Sequence, residues 1–182
     1  MIFHATPIPG AFVIDIEPKV DDRGFFARTS CVDEFAAQGF RFVMVQSSVS
    51  WNARRGTVRG LHYQAAPHGE AKLVRCTAGA TFDVMLDVRV DSPECGRWHG
   101  VELTAHNHRS LFIPEGVAHG FQTLEDGTEI HYQMNSRYAP QAARGVRWND
   151  PAVGIEWPLP EIAFLSPADQ ALPDLAMALR QR

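Results

Sequence analysis

Glycine and proline divide this chain into many short segments. The 14 glycines and 12 prolines are spread over all 182 residues, with no linker, repeat or low-complexity tract. Such regular punctuation is typical of an all-β sandwich or barrel. We therefore expect one domain spanning residues 1–182, a length sufficient for a real hydrophobic core.

Residues 82–89 show the clearest strand pattern. Phe82, Val84, Leu86 and Val88 alternate with the polar residues of this segment, so they share one face of a strand. Further strands are predicted over 12–16, 24–29, 41–50, 57–63, 101–104, 110–113, 119–124 and 129–134, and short helices over 33–39 and 173–179. Runs of strands without alternating helices predict an antiparallel jelly-roll barrel with a few short helices.

Composition excludes several classes of function. The net charge is −4 and the isoelectric point is about 6.0, so nucleic acid is not an expected partner. No apolar run is long enough to span a membrane, and the first residues lack the pattern of a signal peptide. The cysteines Cys31, Cys76 and Cys95 are odd in number and form no CxxC motif. They predict reduced thiols and a cytoplasmic protein.

The segment from Arg59 to Lys72 carries the strongest chemical signal. A lone histidine such as His62 is usually a hydrogen-bonded core residue. Here Arg59 and Lys72 lie close in sequence, and Gly60 permits close approach of another backbone. Strict alternation places Arg59 and His62 on opposite faces, so a bulge at Gly60 is needed if both are to line one pocket.

Two further residues are ambiguous when taken singly. Tyr132 shares a strand face with Ile130 and Met134, which is typical of a core tyrosine whose hydroxyl finds a partner. Inside a barrel, that hydroxyl could donate a proton. Asp169 follows Ser166 and by itself indicates a turn or a helix N-cap.

A metal centre is not expected. The segment 114–119 resembles the second half-motif of the cupin superfamily, in which a histidine often binds metal. The first half-motif needs two histidines and a glutamate at close spacing, and His106-Asn107-His108 is followed by no glutamate until Glu115. These histidines also stand where a turn is predicted, so we find no set of three or four ligands.

Taken together, these motifs resemble the dTDP-4-dehydrorhamnose 3,5-epimerase family. The matching segments cover nearly the whole chain and lie at 22–26, 59–64, 72–75, 83–89 with 92–93, 113–121, 132 with 138, 148–151, and 165–166 with 169–170. The resemblance implies a cupin-type jelly roll that forms a homodimer. It also implies a nucleotide-sugar substrate and no metal or nucleotide cofactor.

The resemblance further implies catalytic roles for four residues. His62 corresponds to the general base that removes a proton beside the C4 ketone, and Asp169 to the partner that orients its imidazole. Lys72 corresponds to the group that stabilises the enolate oxygen. Tyr132 corresponds to the acid that returns a proton from the opposite face. Epimerisation beside a ketone requires such a base, acid and oxyanion stabiliser.

Other positions are implied to bind the substrate: Arg23, Phe26, Gln46, Arg59, His119 and Tyr138. A guanidinium fork suits a pyrophosphate, and Phe26 offers a ring on which a base can stack. Four positions depart from the family pattern and carry Arg28, Ser48, Ala143 and Ala168. Because these positions surround the ligand, the resemblance implies intact acid–base chemistry and a changed substrate preference, with Arg28 and Ser48 as candidate contacts.

Two alternative functions remain at this point. One is a metal-dependent cupin isomerase or dioxygenase, which the incomplete metal motif disfavours. The other is a catalytically silent cupin that binds a sugar nucleotide, which the presence of all four catalytic matches disfavours. The sequence favours an epimerase of a nucleotide-linked 4-keto-6-deoxy sugar that acts at C3 and C5, or at C3 alone.

Overall fold

The structure, a computed structural model, describes residues 1–180. Its strands are β1 (Ile2–Ala5), β2 (Phe12–Asp15), β3 (Lys19–Asp21), β4 (Gly24–Phe26), β5 (Gln46–Asn52), β6 (Val58–Gln64), β7 (Lys72–Ala78), β8 (Ala80–Asp87), β9 (Trp98–Thr104), β10 (Ser110–Ile113), β11 (Val117–Thr123), β12 (Thr128–Met134) and β13 (Ala143–Gly145). The helices are α1 (Val32–Ala37), α2 (Pro167–Gln170) and α3 (Leu175–Ala178), with a 3₁₀ turn over Pro140–Ala142. The predicted all-β fold with short helices is confirmed.

The strands build two antiparallel sheets that face each other. One sheet has six strands in the order β1-β2-β10-β7-β12-β5, and the other has five in the order β13-β6-β11-β8-β9. From β5 onward successive strands alternate between the two sheets, as in a jelly roll, except that β8 and β9 are neighbours in the five-stranded sheet. Strands β3 and β4 form a separate hairpin.

The main core fills the space between the sheets. The six-stranded sheet contributes Val74, Leu111 and Ile130, and the five-stranded sheet contributes Met85 and Phe121. These side chains alternate along their strands with residues of the opposite face, as the pleat requires. Polar residues on the same inner faces are therefore anchored on strands whose interior is closely packed.

Both sheets are also covered on parts of their outer faces. On the five-stranded sheet, Val84 and Leu86 pack against Val146 and Val153 from the C-terminal segment. On the six-stranded sheet, aromatic residues including Phe35, Phe42 and Phe112 form a cluster with α1. Strand β8 is therefore buried on both faces, and its aspartates Asp83 and Asp87 are fully buried.

Several predicted boundaries are wrong. The strand expected over 41–50 begins only at Gln46, because Phe42 is drawn into the aromatic cluster beside α1. The strand expected over 24–29 ends at Phe26, where its pairing with β3 ends. Strands β1, β3 and β13 lie where no strand is predicted from the sequence. No helix within residues 1–180 is long and apolar enough to cross a membrane.

Candidate active site

A pocket of about 320 Å³ opens between the two sheets. Strands β5, β7 and β12 border it on one side, and β6 and β11 on the other. It is lined by nine of the twelve predicted site residues, namely Gln46, Ser48, Arg59, His62, Lys72, His119, Tyr132, Tyr138 and Asp169. Most of the residues predicted from the sequence therefore lie in one pocket, although they are spread over more than 120 positions of the chain.

A β-bulge in β6 brings Arg59 and His62 to the same pocket. His62 pairs with His119 and Arg59 with Phe121, so β6 advances three residues while β11 advances two. The bulge predicted at Gly60 is thus present. Gly60 has φ +104°, and a Cβ there would lie 2.7 Å from the Cα of Gly120. Only glycine fits this conformation and this approach.

His62 and Asp169 form a hydrogen-bonded pair at the pocket wall. The His62 Nε2 donates to Oδ1 of Asp169 at 2.6 Å, and the imidazole is about half exposed while the carboxylate is buried. Burial raises the pKa of Asp169, but hydrogen bonds from His62, Ser166 and the Gly60 backbone outweigh it and hold the pKa below its ordinary value. Asp169 therefore stays ionised, and Nδ1 is the nitrogen left to accept a proton.

The position of Asp169 follows from a short capped helix. Ser166 is the N-cap of α2, and its hydroxyl accepts a hydrogen bond from the Asp169 backbone N–H at 3.0 Å. Pro167 occupies the first turn, where a missing N–H has no cost. The sequence predicts Asp169 in a turn or as a helix N-cap. It lies instead inside the helix, and the N-cap is Ser166.

Lys72 is a buried cation at the first position of β7. Its Nζ lies 3.2 Å from Oε1 of Glu70 and 3.4 Å from the backbone carbonyl oxygen of His62. Burial lowers the pKa of Lys72, and the carboxylates of Glu70 and Asp83 oppose that effect. The ammonium group thus lies on the pocket wall within reach of the strand that carries His62.

Tyr132 enters the pocket from β12, in the sheet opposite His62. Its ring packs edge-on against that of His119, with the ring centroids 5.7 Å apart. Burial and the nearby Asp83 raise the pKa of Tyr132 well above its ordinary value, and Arg59 only partly opposes them. The hydroxyl accordingly stays protonated over the physiological range, as a proton donor requires.

A second, more buried histidine–aspartate pair supports the pocket. The His119 Nε2 lies 2.5 Å from Oδ1 of Asp83, and both side chains are almost fully buried. The other carboxylate oxygen of Asp83 is buried without a hydrogen-bond partner among residues 1–180. This pair fixes the ring of His119 against Tyr132 and places a negative charge beneath the pocket.

Polar side chains at the pocket ends are also held in place. The Arg59 Nε donates to Oδ1 of the buried Asn52 at 2.8 Å, which orients the guanidinium. The Tyr138 backbone N–H donates to Oε1 of Gln46 at 3.2 Å, while the Tyr138 ring is exposed. Ser48 lies directly opposite Tyr132 on the neighbouring strand.

Three predicted binding residues lie outside this pocket. Arg23, at the tip of the β3–β4 hairpin, is 89% exposed and pairs with Asp21. Phe26 is 76% exposed. Arg28 forms an ion pair with Glu34 at 2.8 Å in a separate groove. Within a single chain, the hairpin therefore does not contribute to the site.

Sequence reasoning missed the residues that support the predicted ones. Glu70, Asn52 and Ser166 contact Lys72, Arg59 and Asp169 respectively. Glu70 stands two residues before Lys72 and would share its strand face if β7 began earlier, which is a weak local signal. Alternation over 82–89 places Asp83 on the polar face of its strand, and its partner His119 is 36 positions away, beyond the reach of a local pattern.

The histidines His106 and His108 lie at the predicted turn after β9, where His108 has φ +54°. Within the described part of the chain, no three His, Cys, Asp or Glu side chains are grouped so as to hold a metal ion.

The groups that face the pocket can perform acid–base chemistry on either side of a bound molecule. A base oriented by a carboxylate stands on one sheet, a protonated tyrosine on the other, and a cation beside them. This arrangement in an antiparallel jelly roll is that of an epimerase that works beside a carbonyl.

Comparison with known proteins agrees with this class. A family model described as dTDP-4-dehydrorhamnose 3,5-epimerase matches residues 5–177. The dTDP-4-dehydrorhamnose 3,5-epimerase of Salmonella typhimurium is 42% identical over 182 residues, which cover 98% of each chain. This chain belongs to the dTDP-4-dehydrorhamnose 3,5-epimerase family, whose members are isomerases, and the resemblance inferred from the sequence is confirmed.

Solved structures give the same result. The dTDP-4-dehydrorhamnose 3,5-epimerase of Elizabethkingia anophelis matches with a TM-score of 0.94 at 32% identity, covering 97% of each chain. NovW of Streptomyces spheroides, described as a 4-keto-6-deoxy sugar epimerase, matches with a TM-score of 0.92 at 38% identity, covering 98% of this chain and 89% of NovW. The fold is therefore shared over almost the full length.

Proposed function

We propose that this protein epimerises a nucleotide-linked 4-keto-6-deoxy sugar at C3 and C5. The observation that carries the proposal is that His62 with Asp169 and the protonated Tyr132 lie on opposite sheets and face one pocket. A sugar ring between them presents one face to a base and the other face to an acid. Inversion of a carbon requires that geometry.

In the proposed reaction, His62 takes the proton from the carbon beside the C4 ketone. The electron pair moves onto the ketone oxygen, and the Lys72 ammonium stabilises the resulting enolate. Tyr132 then donates its proton to the same carbon from the other face, and the ketone re-forms. Proton exchange with water restores His62 and Tyr132 for a second inversion, and Asp169 remains ionised throughout.

Arg59 is the proposed partner of the nucleotide pyrophosphate. Its Nε is held by Asn52, which leaves the two terminal nitrogens of the guanidinium to pair with phosphate oxygens. Gln46, Ser48 and the exposed ring of Tyr138 lie on the same side of the pocket wall and are proposed contacts for the nucleoside. His119, packed against Tyr132, is proposed to contact the sugar.

We also propose a homodimer in which the hairpin of one chain completes the site of the other. Arg23, Phe26 and Arg28 do not line the pocket of their own chain. The six-stranded sheet ends at β5, an edge strand that exposes Val49 and Trp51. An open edge with apolar side chains is suited to pairing with another chain.

We also propose the bounds of the catalytic domain and the cellular compartment of the protein. Residues 1–182 are proposed to form one catalytic domain, supported by a family match over 5–177 and by sheets that combine strands from both halves. A cytoplasmic location is supported by Cys31, Cys76 and Cys95, which form no disulfide within residues 1–180.

Solvent exchange tests the reaction. The protein is incubated with dTDP-4-keto-6-deoxyglucose in deuterated water, and NMR locates the label. We expect deuterium at both C3 and C5. Label at C3 alone would limit the enzyme to one inversion, and a folded protein that introduces no label at either carbon would overturn the epimerase proposal.

Mixing two inactive variants tests the dimer. If the hairpin acts in the second chain, combining Arg23→Ala chains with His62→Ala chains gives heterodimers with one intact site, and activity should return. If the hairpin acts within its own chain, every site in the mixture carries a lesion. Activity that stays absent, or a monomer in sedimentation at micromolar concentration, would contradict the proposed assembly.

A further inference from the structure

Lys72 and Glu70 form an ion pair that is largely removed from solvent. Their charged atoms lie 3.2 Å apart, and the side chains are only 10% and 11% exposed. Both residues line the pocket. A charge buried to this degree is costly unless a partner compensates it, so the state of Lys72 depends on its immediate neighbours.

Several other ionisable groups lie around this part of the pocket. Asp83, on β8, acts on Lys72 through its charge. The others line the pocket together with Lys72: Arg59 and His62 on β6, His119 on β11, Tyr132 on β12, Tyr138 after β12, and Asp169 on α2. Asp83 is engaged by His119 at 2.5 Å, and His62 meets Lys72 only through its backbone carbonyl. Within residues 1–180, Glu70 supplies the carboxylate that forms an ion pair with Lys72.

We propose that Glu70 is a positioning residue for the epimerisation: its carboxylate keeps the Lys72 ammonium charged and aimed into the pocket. This inference rests on the proposed function, in which Lys72 stabilises the enolate oxygen. A neutral amine could not stabilise that charge. Glu70 itself need not touch the substrate, since it acts through Lys72.

The electrostatics of the site support this role. Burial lowers the pKa of Lys72, and the charge and hydrogen bond of Glu70 are the main opposing influences, ahead of Asp83. Removing the Glu70 charge leaves burial less opposed, so Lys72 would release its proton at a lower pH. The charged form of Lys72 is the active one. Activity should therefore begin to fall at a lower pH than in the wild type. Well below that pH, Lys72 stays protonated in both proteins.

The first experiment measures solvent exchange at C3 as a function of pH in Glu70→Gln, which keeps the size and removes the charge. We expect the alkaline limb of kcat/KM to move down by roughly one pH unit or more, the usual effect of an adjacent opposite charge. At a fixed pH on that limb, the rate should be about tenfold lower. Glu129→Gln, on the outer face of β12, is the matched control and should leave the limb unchanged.

Two further variants guard against a simple loss of structure. Glu70→Ala should shift the limb in the same direction as Glu70→Gln, and Glu70→Asp should restore it towards the wild-type position. Thermal unfolding identifies variants that fold. An alkaline limb that stays in place in a folded neutral variant would overturn the inference, because a merely structural role does not change a titration.

A second measurement does not depend on activity. Acetic anhydride labels neutral lysine amines, so mass spectrometry of Lys72 labelling across pH reports its protonation directly. The midpoint should lie lower in Glu70→Gln than in the wild type. Equal midpoints would overturn the role of Glu70. Absence of exchange in the wild type would overturn the proposed function instead, and the labelling result would still stand.

Discussion

The Nε2 atom of His62 lies 2.6 Å from Oδ1 of Asp169, although the two residues are 107 positions apart in the chain. The link between them begins at the start of β6, where the Val58 N–H donates to the carbonyl oxygen of Phe164 at 3.0 Å. This contact attaches the C-terminal segment to the strand. Ser166 then caps the single helical turn of α2, which places Asp169 against the His62 imidazole.

The first prediction concerns the base. We expect His62→Asn to abolish deuterium exchange at both C3 and C5, because in the proposed reaction His62 removes the proton at each carbon. General acid–base groups typically contribute on the order of 10²–10⁴-fold to the rate. His131→Asn, outside the pocket, serves as the control and should exchange normally. Near-normal exchange in a folded His62→Asn protein would eliminate this assignment.

The second prediction concerns stability in acid. The folded-state pKa of Asp169 is lowered, so its ionised form stabilises the fold above the unfolded value of about 3.9. That stabilisation is lost as pH falls through the folded value. The unfolding free energy of the wild type should therefore drop more steeply between about pH 5 and pH 2 than that of Asp169→Asn. Parallel slopes in urea titrations would show that Asp169 carries no such linkage.

The third prediction separates the acid from the oxyanion stabiliser. Tyr132→Phe should still release the proton but should not invert carbon, because the proton returns from the side it left. Lys72→Ala should slow exchange and inversion together, by about 10²–10³-fold, as expected for loss of one oxyanion stabiliser. The two rates are compared by NMR. If Tyr132→Phe inverts carbon at the normal rate, another donor acts, and Tyr138 is the next candidate.

Most of the fold could be predicted from the local pattern of apolar and polar residues. Clear alternation identifies strands such as the one containing Phe82 and Val84, because a pleat enforces that period. That strand is predicted over 82–89 and lies over Ala80–Asp87, so each end differs by two residues. Strand ends were less certain, since tertiary packing decided them. Phe42, for example, is in the aromatic cluster beside α1 and not in the strand predicted there.

The site was predictable as a set of residues but not as a geometry. The spacing of Arg59 and His62 shows that a bulge at Gly60 is needed if both residues are to line one pocket. The register of β6 against β11 contains that bulge. The charge network beneath the pocket could not be foreseen. Asp83 meets His119 only because β8 and β11 are neighbours, and such non-local pairing leaves no mark in the local sequence.

The fourth prediction tests the close approach of β6 and β11. A Cβ at Gly120 would lie 2.7 Å from the backbone oxygen of Arg59 and 2.6 Å from Cδ2 of Leu61. Gly120→Ala should therefore destabilise the protein by roughly 1–3 kcal/mol, as overpacking usually does, and displace Arg59. Urea unfolding and dTDP titration measure the two effects. Gly127→Ala, in an open turn, should leave dTDP binding unchanged. Unchanged stability in Gly120→Ala would show that the strands can separate freely.

The fifth prediction concerns substrate preference. The family that the sequence resembles usually has Asn where this chain has Ser48. Ser48 lies opposite Tyr132 on the pocket wall. The shorter side chain removes a polar contact, and one neutral hydrogen bond contributes about 0.5–1.5 kcal/mol. We expect this protein to bind dTDP more weakly than its relatives do, and Ser48→Asn to tighten binding by roughly 2–10-fold.

Arg28, which stands where the family usually has Glu, makes a poorer test of the same idea. Its ion pair with Glu34 at 2.8 Å would become a repulsion in Arg28→Glu. Ser48 forms no ion pair within residues 1–180, so Ser48→Asn creates no such repulsion in the pocket wall. Calorimetric titration with dTDP, UDP, GDP and CDP compares the bases. If the wild type prefers dTDP with the affinity of its relatives, and Ser48→Asn changes nothing, the contact has been replaced locally. The substrate is then the dTDP-4-keto-6-deoxyglucose of the exchange experiment.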